Sequence, residues 1–167
     1  LAPLARLCLT GPESTGKSEL AGQLARATGW PVIDEYAREY AERVNRELTA
    51  ADVEPIARGE IANLDRAVPP VILDTDLLST VVYARHYYGS CPQWIVEEAR
   101  RRRADLYLLM DTDLPFEGDA VRDTSTDRED LFDAFRRALD EFETNWTIVS
   151  GPREERRQRS LALLRSL

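Results

Sequence analysis

Gly11-Pro12-Glu13-Ser14-Thr15-Gly16-Lys17-Ser18, with Glu19 directly after it, is the stretch whose reading decides the fold. It fits the phosphate-loop pattern, in which two glycines bracket four residues and a lysine and a hydroxyl residue follow. That pattern works only between a strand and a helix, and the flanks supply both. Residues 4–9 are apolar and short enough for a buried strand. Residues 18–28 carry Leu20, Ala21, Leu24 and Ala25 at helical spacing and stop at Gly29. Glycines let the backbone aim its N–H groups inward at phosphate oxygens, and the helix N-terminus adds partial positive charge. Lys17 then reaches the β- and γ-phosphates and the Ser18 hydroxyl ligates magnesium. The stretch from Gly11 to Glu19 is therefore expected to hold a nucleoside triphosphate.

Composition narrows the class. A chain of 167 residues with 43% hydrophobic and 31% charged residues reads as one soluble globular domain, residues 1–167, with a real core. The formal net charge of -8 argues against an extended nucleic-acid or anionic-membrane footprint, which leaves a small molecule as the expected partner. ATP is itself anionic, so positive charge must be supplied locally, by Lys17 and a few arginines. Cys8 and Cys91 fit neither a metal nor a disulfide pattern, and no signal peptide or long apolar span is evident. A reducing cytoplasm is the expected compartment. Because the chain opens on Leu1 rather than Met, it is expected to be a trimmed piece or one domain of a longer multidomain chain. His86 is the single histidine, which excludes a histidine-based triad and a multi-histidine metal site; it reads as structural or substrate-proximal.

Outward from the loop, strands and helices alternate. Residues 30–33 form a second apolar run ending at Asp34-Glu35. Thr49 and Asp52 resemble a capping box ahead of a helical stripe of Val53, Ile56, Ala57, Ile61 and Leu64. Pro69-Pro70 breaks that helix before the third strand, residues 71–73, which runs into Asp74-Thr75-Asp76. Helix follows through Leu77, Leu78, Val81, Val82 and Tyr83, and residues 94–103 read as another helix. Residues 105–110 make the fourth strand. Residues 111–130 are polar and aperiodic and read as a mobile lid. Leu131, Phe132, Phe135, Leu139 and Phe142 mark a helix, residues 146–149 the fifth strand, and residues 152–167 a closing helix. The expectation is a three-layer α/β P-loop NTPase/kinase fold: a five-stranded parallel sheet with right-handed crossovers, flanked by helices. Ligands then belong at the C-terminal strand ends.

Several side chains at those ends suit phosphoryl transfer. Asp74 and Asp76 share a parity and would both point to one side. Asp74 suits the magnesium beside Ser18, and Asp76 a substrate hydroxyl; the alternative for each is a strand-end acid that caps the next helix. Glu35, after the second strand, suits the base that takes the attacking hydroxyl's proton, with Asp76 and Asp34 as the other candidates, and Arg38 suits substrate or phosphate. The alternative is that Asp34 and Glu35 are a solvated first helical turn. Arg122 and Arg128, within the polar stretch, suit a lid that lays guanidinium groups on the transferring phosphoryl group; the alternative is surface ion pairing. A flat base would stack on one of Tyr36, Tyr40, Tyr83, Tyr87, Tyr88 and Trp94. Residues 100–103, a run of arginines, read as a solvated helix end.

Taken together, residues 11–18, Glu35-Tyr36-Ala37-Arg38-Glu39-Tyr40, Asp74-Thr75-Asp76 with Tyr83, and Tyr87-Tyr88-Gly89 followed by Cys91-Pro92 and Trp94 resemble one family. It is the ribosylnicotinamide kinase domain of NadR-type NAD-biosynthesis proteins, in the P-loop kinase superfamily. The resemblance covers essentially the whole chain. It implies ATP- and Mg2+-dependent phosphorylation of the ribose 5′-hydroxyl of nicotinamide riboside, giving the mononucleotide. It implies a catalytic set of Lys17, Glu35, Asp76, Arg122 and Arg128, and a substrate set of Glu35, Tyr36, Arg38, Asp76, Tyr83, Tyr87 and Trp94. The lid departs from the family's Asp-Gly followed by arginine, with Asp119-Ala120-Val121-Arg122 in its place. Two other readings stand beside it: a kinase for another nucleoside or nucleotide, and a nucleotide switch or ATPase without kinase chemistry. Guanine recognition of the switch type needs an Asn/Thr-Lys-x-Asp segment, and Lys17 is the chain's sole lysine.

Overall fold

The chain is represented by a computed structural model that describes residues 5–113 and 125–167. Five parallel strands make one sheet in the order β2-β3-β1-β4-β5. They are β1 (Arg6–Thr10), β2 (Val32–Ile33), β3 (Val71–Asp74), β4 (Leu106–Met110) and β5 (Trp146–Val149). Around them lie α1 (Lys17–Thr28), α2 (Tyr36–Val44), α3 (Val53–Arg66), α4 (Leu77–Tyr88), α5 (Gln93–Arg101), α6 (Ser125–Glu141) and α7 (Arg153–Arg165). The two strands beside β1 are β3, with Leu9 level with Asp74, and β4, with Thr10 level with Leu109. Because the phosphate loop leaves β1, this register puts it between the ends of β3 and β4.

Alternation along the central strands builds two cores, one on each sheet face. Leu7 and Leu9 pack with Leu20, Leu24, Leu108 and Leu164 beneath α1 and α7. Cys8 and Tyr107 face the other way, with Leu73, Val81, Ile95 and Phe135 under α3 to α6. Burial on both faces is why the parallel strands read as continuous apolar runs rather than alternating ones. The expected three-layer architecture is therefore the observed one. No helix among the described residues is long and apolar enough to cross a membrane.

Three local readings change. Residues 125–130 are not loop: α6 begins at Ser125. The helix's buried side runs Arg128, Leu131, Phe135 and Phe142, and a charged first member hid that turn from an apolar count. Residues 36–44, given no element of their own in the sequence reading, form α2. Asp74 and Asp76 do not share a strand's parity, because Thr75 between them is left-handed (φ 64°) and Asp76 is already the N-cap of α4. The Thr49–Asp52 capping box does form, on a short 3-10 turn (Ala50–Asp52) that leads into α3.

α2 lies against α3 at Gly59, where an added Cβ would overlap the Tyr36 ring. Glycine there is a requirement of close approach, against its poor helix propensity. Gly59→Ala is accordingly expected to destabilise by about 1–3 kcal/mol, although alanine favours the helix. Urea unfolding of the two proteins measures this, and a stabilised variant would contradict the packing argument.

Candidate functional site

The loop's shape follows from its glycines. Gly16 is the left-handed N-cap of α1 (φ 85°), and Gly11 (φ 131°) passes so near β4 that a Cβ would sit 3.1 Å from the Met110 carbonyl. A phosphate loop points its N–H groups inward, so its carbonyls face protein and need donors. Three cations provide them. Lys17 Nζ donates to the Gly11 and Pro12 carbonyls at 3.0 and 2.6 Å. Arg128 Nη2, from α6, donates to Ser14 O at 3.2 Å. Arg156 Nη1, from α7, donates to Thr15 O at 2.9 Å. Arg156 also donates to Gly151 O (2.8 Å) and Asp111 O (3.1 Å) and pairs with Asp113, so one buried guanidinium ties the loop to the ends of β4 and β5.

Beside the loop, Ser18 Oγ donates to Asp74 Oδ2 at 2.6 Å and accepts from Arg38 Nη1 at 3.3 Å. Asp74 Oδ1 is buried with no hydrogen-bond partner. Glu35 is the N-cap residue of α2, and its Oε2 lies 3.5 Å from Arg38 Nη2. Burial raises the Glu35 carboxyl above the ordinary glutamate range, against the nearby Lys17 charge. Burial likewise lowers the Lys17 ammonium, opposed first by Glu35. Lys17, Ser18, Glu35, Arg38 and Asp74 thus form one cluster.

A cavity opens from this cluster toward α3 and α4. Glu13, Glu35, Thr75, Asp76 and Glu60 line it, together with Val53, Ile56, Tyr83 and Tyr88. Of the aromatics singled out in the sequence, Tyr83 and Tyr88 line it, whereas Tyr36, Tyr40, Tyr87 and Trp94 do not. Tyr87 stacks on Tyr83 (5.8 Å between centroids), Trp94 Nε1 donates to Glu54 at 2.8 Å, and Tyr40 donates to Asp52 at 2.7 Å. Asp76 is built into the wall: Oδ1 accepts from Leu78 N at 3.1 Å and Oδ2 from the Tyr107 hydroxyl at 2.5 Å. Burial pushes its carboxyl up to about 6. Arg128 is 4% exposed rather than a surface ion pair, and Arg122 lies outside the described residues. His86 stands on the far side of α4, 4.0 Å from Asp127.

Glu60 and Arg156 escaped the sequence reading. Each breaks a buried stripe with a charge: Glu60 follows Ile56 and Ala57 on the core side of α3, and Arg156 precedes Ser160 and Leu164 on that of α7. A charge on an apolar face was the available signal.

Comparisons with known proteins agree with the fold. The family described as an AAA domain matches residues 6–156. The trifunctional NAD biosynthesis/regulator protein NadR of Escherichia coli (strain K12) is 27% identical over 145 residues, 81% of this chain and 35% of that protein. The chain thus spans about a third of the length of the curated relatives it matches. A crystal structure of a NadR protein in complex with NR has a TM-score of 0.83 at 25% identity, over 97% of this chain and 50% of that one. A second, in complex with NAD and AMP-PNP, has a TM-score of 0.81 at 26% identity, over 97% and 49%.

Removing Arg156 takes the donor from three carbonyls, one of them the buried Thr15 carbonyl, and leaves partly exposed Asp113 without it. Arg156→Ala is expected to cost about 1–3 kcal/mol and to weaken ATP binding, read by urea unfolding and calorimetry; unchanged nucleotide affinity would dissociate the clamp from the loop. Burial, then the Asp76 charge, pushes the Glu60 carboxyl from 4.5 up to about 8, so between those values the folded chain holds a proton that the unfolded chain releases. Stability contributed by Glu60 therefore falls as pH rises through that window. Glu60→Gln removes the slope, and its stability relative to wild type should rise between about pH 5 and pH 8 in paired denaturation curves.

Proposed function

The chain belongs to the AAA-domain family, and from that premise we propose that it is an ATP-dependent kinase for the 5′-hydroxyl of nicotinamide riboside, yielding nicotinamide mononucleotide and ADP. The observation that carries the reading is the position of Glu35. Its carboxyl feels the charges of Lys17 and Asp74 and pairs with Arg38, which bonds Ser18, and it also lines the cavity that Tyr83 and Tyr88 share. A small-molecule kinase needs this juxtaposition: an acceptor held next to a triphosphate with a carboxylate at the seam. A nucleotide switch has no use for a second cavity there. The relation to NadR, and the NadR structures with NR and with AMP-PNP, support the choice of acceptor and donor.

Each residue then has a task. Lys17, released from the Gly11 and Pro12 carbonyls, binds the β- and γ-phosphates. Ser18 Oγ and Asp74 Oδ1, which has no hydrogen-bond partner among the described residues, would hold a magnesium ion, and that ion would neutralise phosphate charge. Glu35 takes the proton of the 5′-hydroxyl as its oxygen attacks the γ-phosphorus. The bond from that phosphorus to the β,γ-bridging oxygen breaks, and ADP leaves. A carboxyl raised by burial is a better proton acceptor than an exposed one, whereas both Asp76 oxygens already hold donors. Glu35 is accordingly assigned as the base, and Asp76 positions the wall of the cavity. Arg128, on leaving the Ser14 carbonyl, and Arg122 are proposed to neutralise the transferring group.

The test is ADP release from the purified domain with ATP and magnesium, with nicotinamide riboside or with other nucleosides. Stimulation by nicotinamide riboside with formation of the mononucleotide is expected. Glu35→Gln should lower kcat by about 10²–10⁴-fold while ATP binding persists. Stimulation only by a different nucleoside would overturn the substrate, and release indifferent to every acceptor would overturn the kinase assignment.

A further inference from the structure

One carboxyl in the cavity has no part in the phosphoryl transfer. Glu60, on the core side of α3 and 3% exposed, lines the cavity together with Asp76 and the apolar residues Val53 and Ile56. Its Oε2 accepts from the Tyr36 backbone N–H at 3.3 Å, and its buried Oε1 has no hydrogen-bond partner among the described residues. A charge without a counter-charge is costly in such a place. Three other acids of the wall have donors: Asp52 has Arg46, Tyr40 and Thr49; Asp76 has Leu78 N and Tyr107; Glu35 has Arg38. Among the described residues, no lysine, arginine or histidine lines the cavity.

We propose that Glu60 is the specificity-determining residue that makes this cavity select a positively charged nucleoside, its carboxylate pairing with the cationic ring of the acceptor. The inference rests on reading the cavity as the acceptor site. An N-ribosylated pyridinium carries a permanent charge on a flat apolar ring. The cavity offers a complement to each part: Val53, Ile56, Tyr83 and Tyr88 for the ring faces, and an unmatched carboxyl for the charge. Among the charged residues described in its wall, a phosphate-bearing acceptor would meet only acids. The titratable groups that act on Glu60 from the elements around it are Glu35 at the start of α2, Asp74 at the end of β3, Asp76 just after it, and Cys8 of β1, none of them a cation. Burial and those acids keep the empty carboxyl protonated near neutral pH. A cation brought beside it reverses that balance and expels the proton.

Nicotinamide riboside and its reduced dihydropyridine form have nearly the same shape and differ in charge, so together they isolate this effect. Wild-type kcat/KM is expected to favour the cation by roughly tenfold or more, and Glu60→Gln to reduce that preference by a similar factor, with ATP affinity near wild type. Independently of any variant, calorimetry of nicotinamide riboside binding at pH 7, in buffers of different ionisation enthalpy, should register proton release that the neutral form does not produce. A wild type that phosphorylates nicotinamide riboside, releases no proton on binding it, and keeps the same charge preference in Glu60→Gln overturns the role of Glu60 and leaves the kinase reading intact. A wild type that uses a neutral nucleoside and ignores nicotinamide riboside overturns the substrate reading and this inference together.

Discussion

A loop that turns its N–H groups toward an anion leaves its carbonyls facing inward, and they must find donors among side chains. Here the donors are cations from three helices: Lys17 of α1 at Gly11 and Pro12, Arg128 of α6 at Ser14, and Arg156 of α7 at Thr15. Much of the remaining architecture follows from that demand. α7 must return to the loop after the last strand, and does so through the Gly151 turn that Arg156 also bonds. α6 must begin early enough to bring Arg128 over Ser14. An acidic chain therefore concentrates buried positive charge at one place, beneath the loop, where the charge both satisfies backbone and supports phosphate binding.

The acidic half of the site answers a different requirement. Carboxyls at Glu35, Glu60, Asp74 and Asp76 lie close enough to feel one another, and burial holds Glu35, Glu60 and Asp76 above their ordinary ranges. Each is handled differently. Asp76 is capped into α4 and held by Tyr107, Asp74 is shared with Ser18, and Glu35 is offset by Lys17 and Arg38. Environment therefore gives chemically similar side chains different surroundings and different proton affinities. The loop and the cavity also differ in charge: cations hold the loop, whereas acids supply the charged groups of the cavity wall among the described residues.

Some of the surprises share a cause. Arg128, Glu60 and Arg156 sit on helix faces otherwise devoted to core. Counting apolar residues assigns such positions to solvent, so α6 reads one turn and a half too short and the other two residues go unnoticed. Of the aromatics, two line the cavity and four pack elsewhere, since aromatic content marks burial and gives no direction. Asp76 misleads in another way. Its strand parity with Asp74 is a correct rule applied past the strand's end, where left-handed Thr75 reorients the chain.

By itself the sequence determined the phosphate loop, the alternation of strands and helices, the parallel three-layer class and the cluster of Lys17, Ser18, Glu35, Arg38 and Asp74 as strand-end chemistry. These depend on patterns within a few residues: glycines that permit a turn, a period that selects helix, an apolar run short enough for a strand. The tertiary structure decided the strand order, the donors to the loop carbonyls, and which aromatics wall the cavity. It also decided which carboxyl keeps a free oxygen. Those depend on residues far apart in the chain, such as Thr15 with Arg156 and Asp76 with Tyr107. Such pairs are fixed by packing against both sheet faces at once, and no local pattern carries that information.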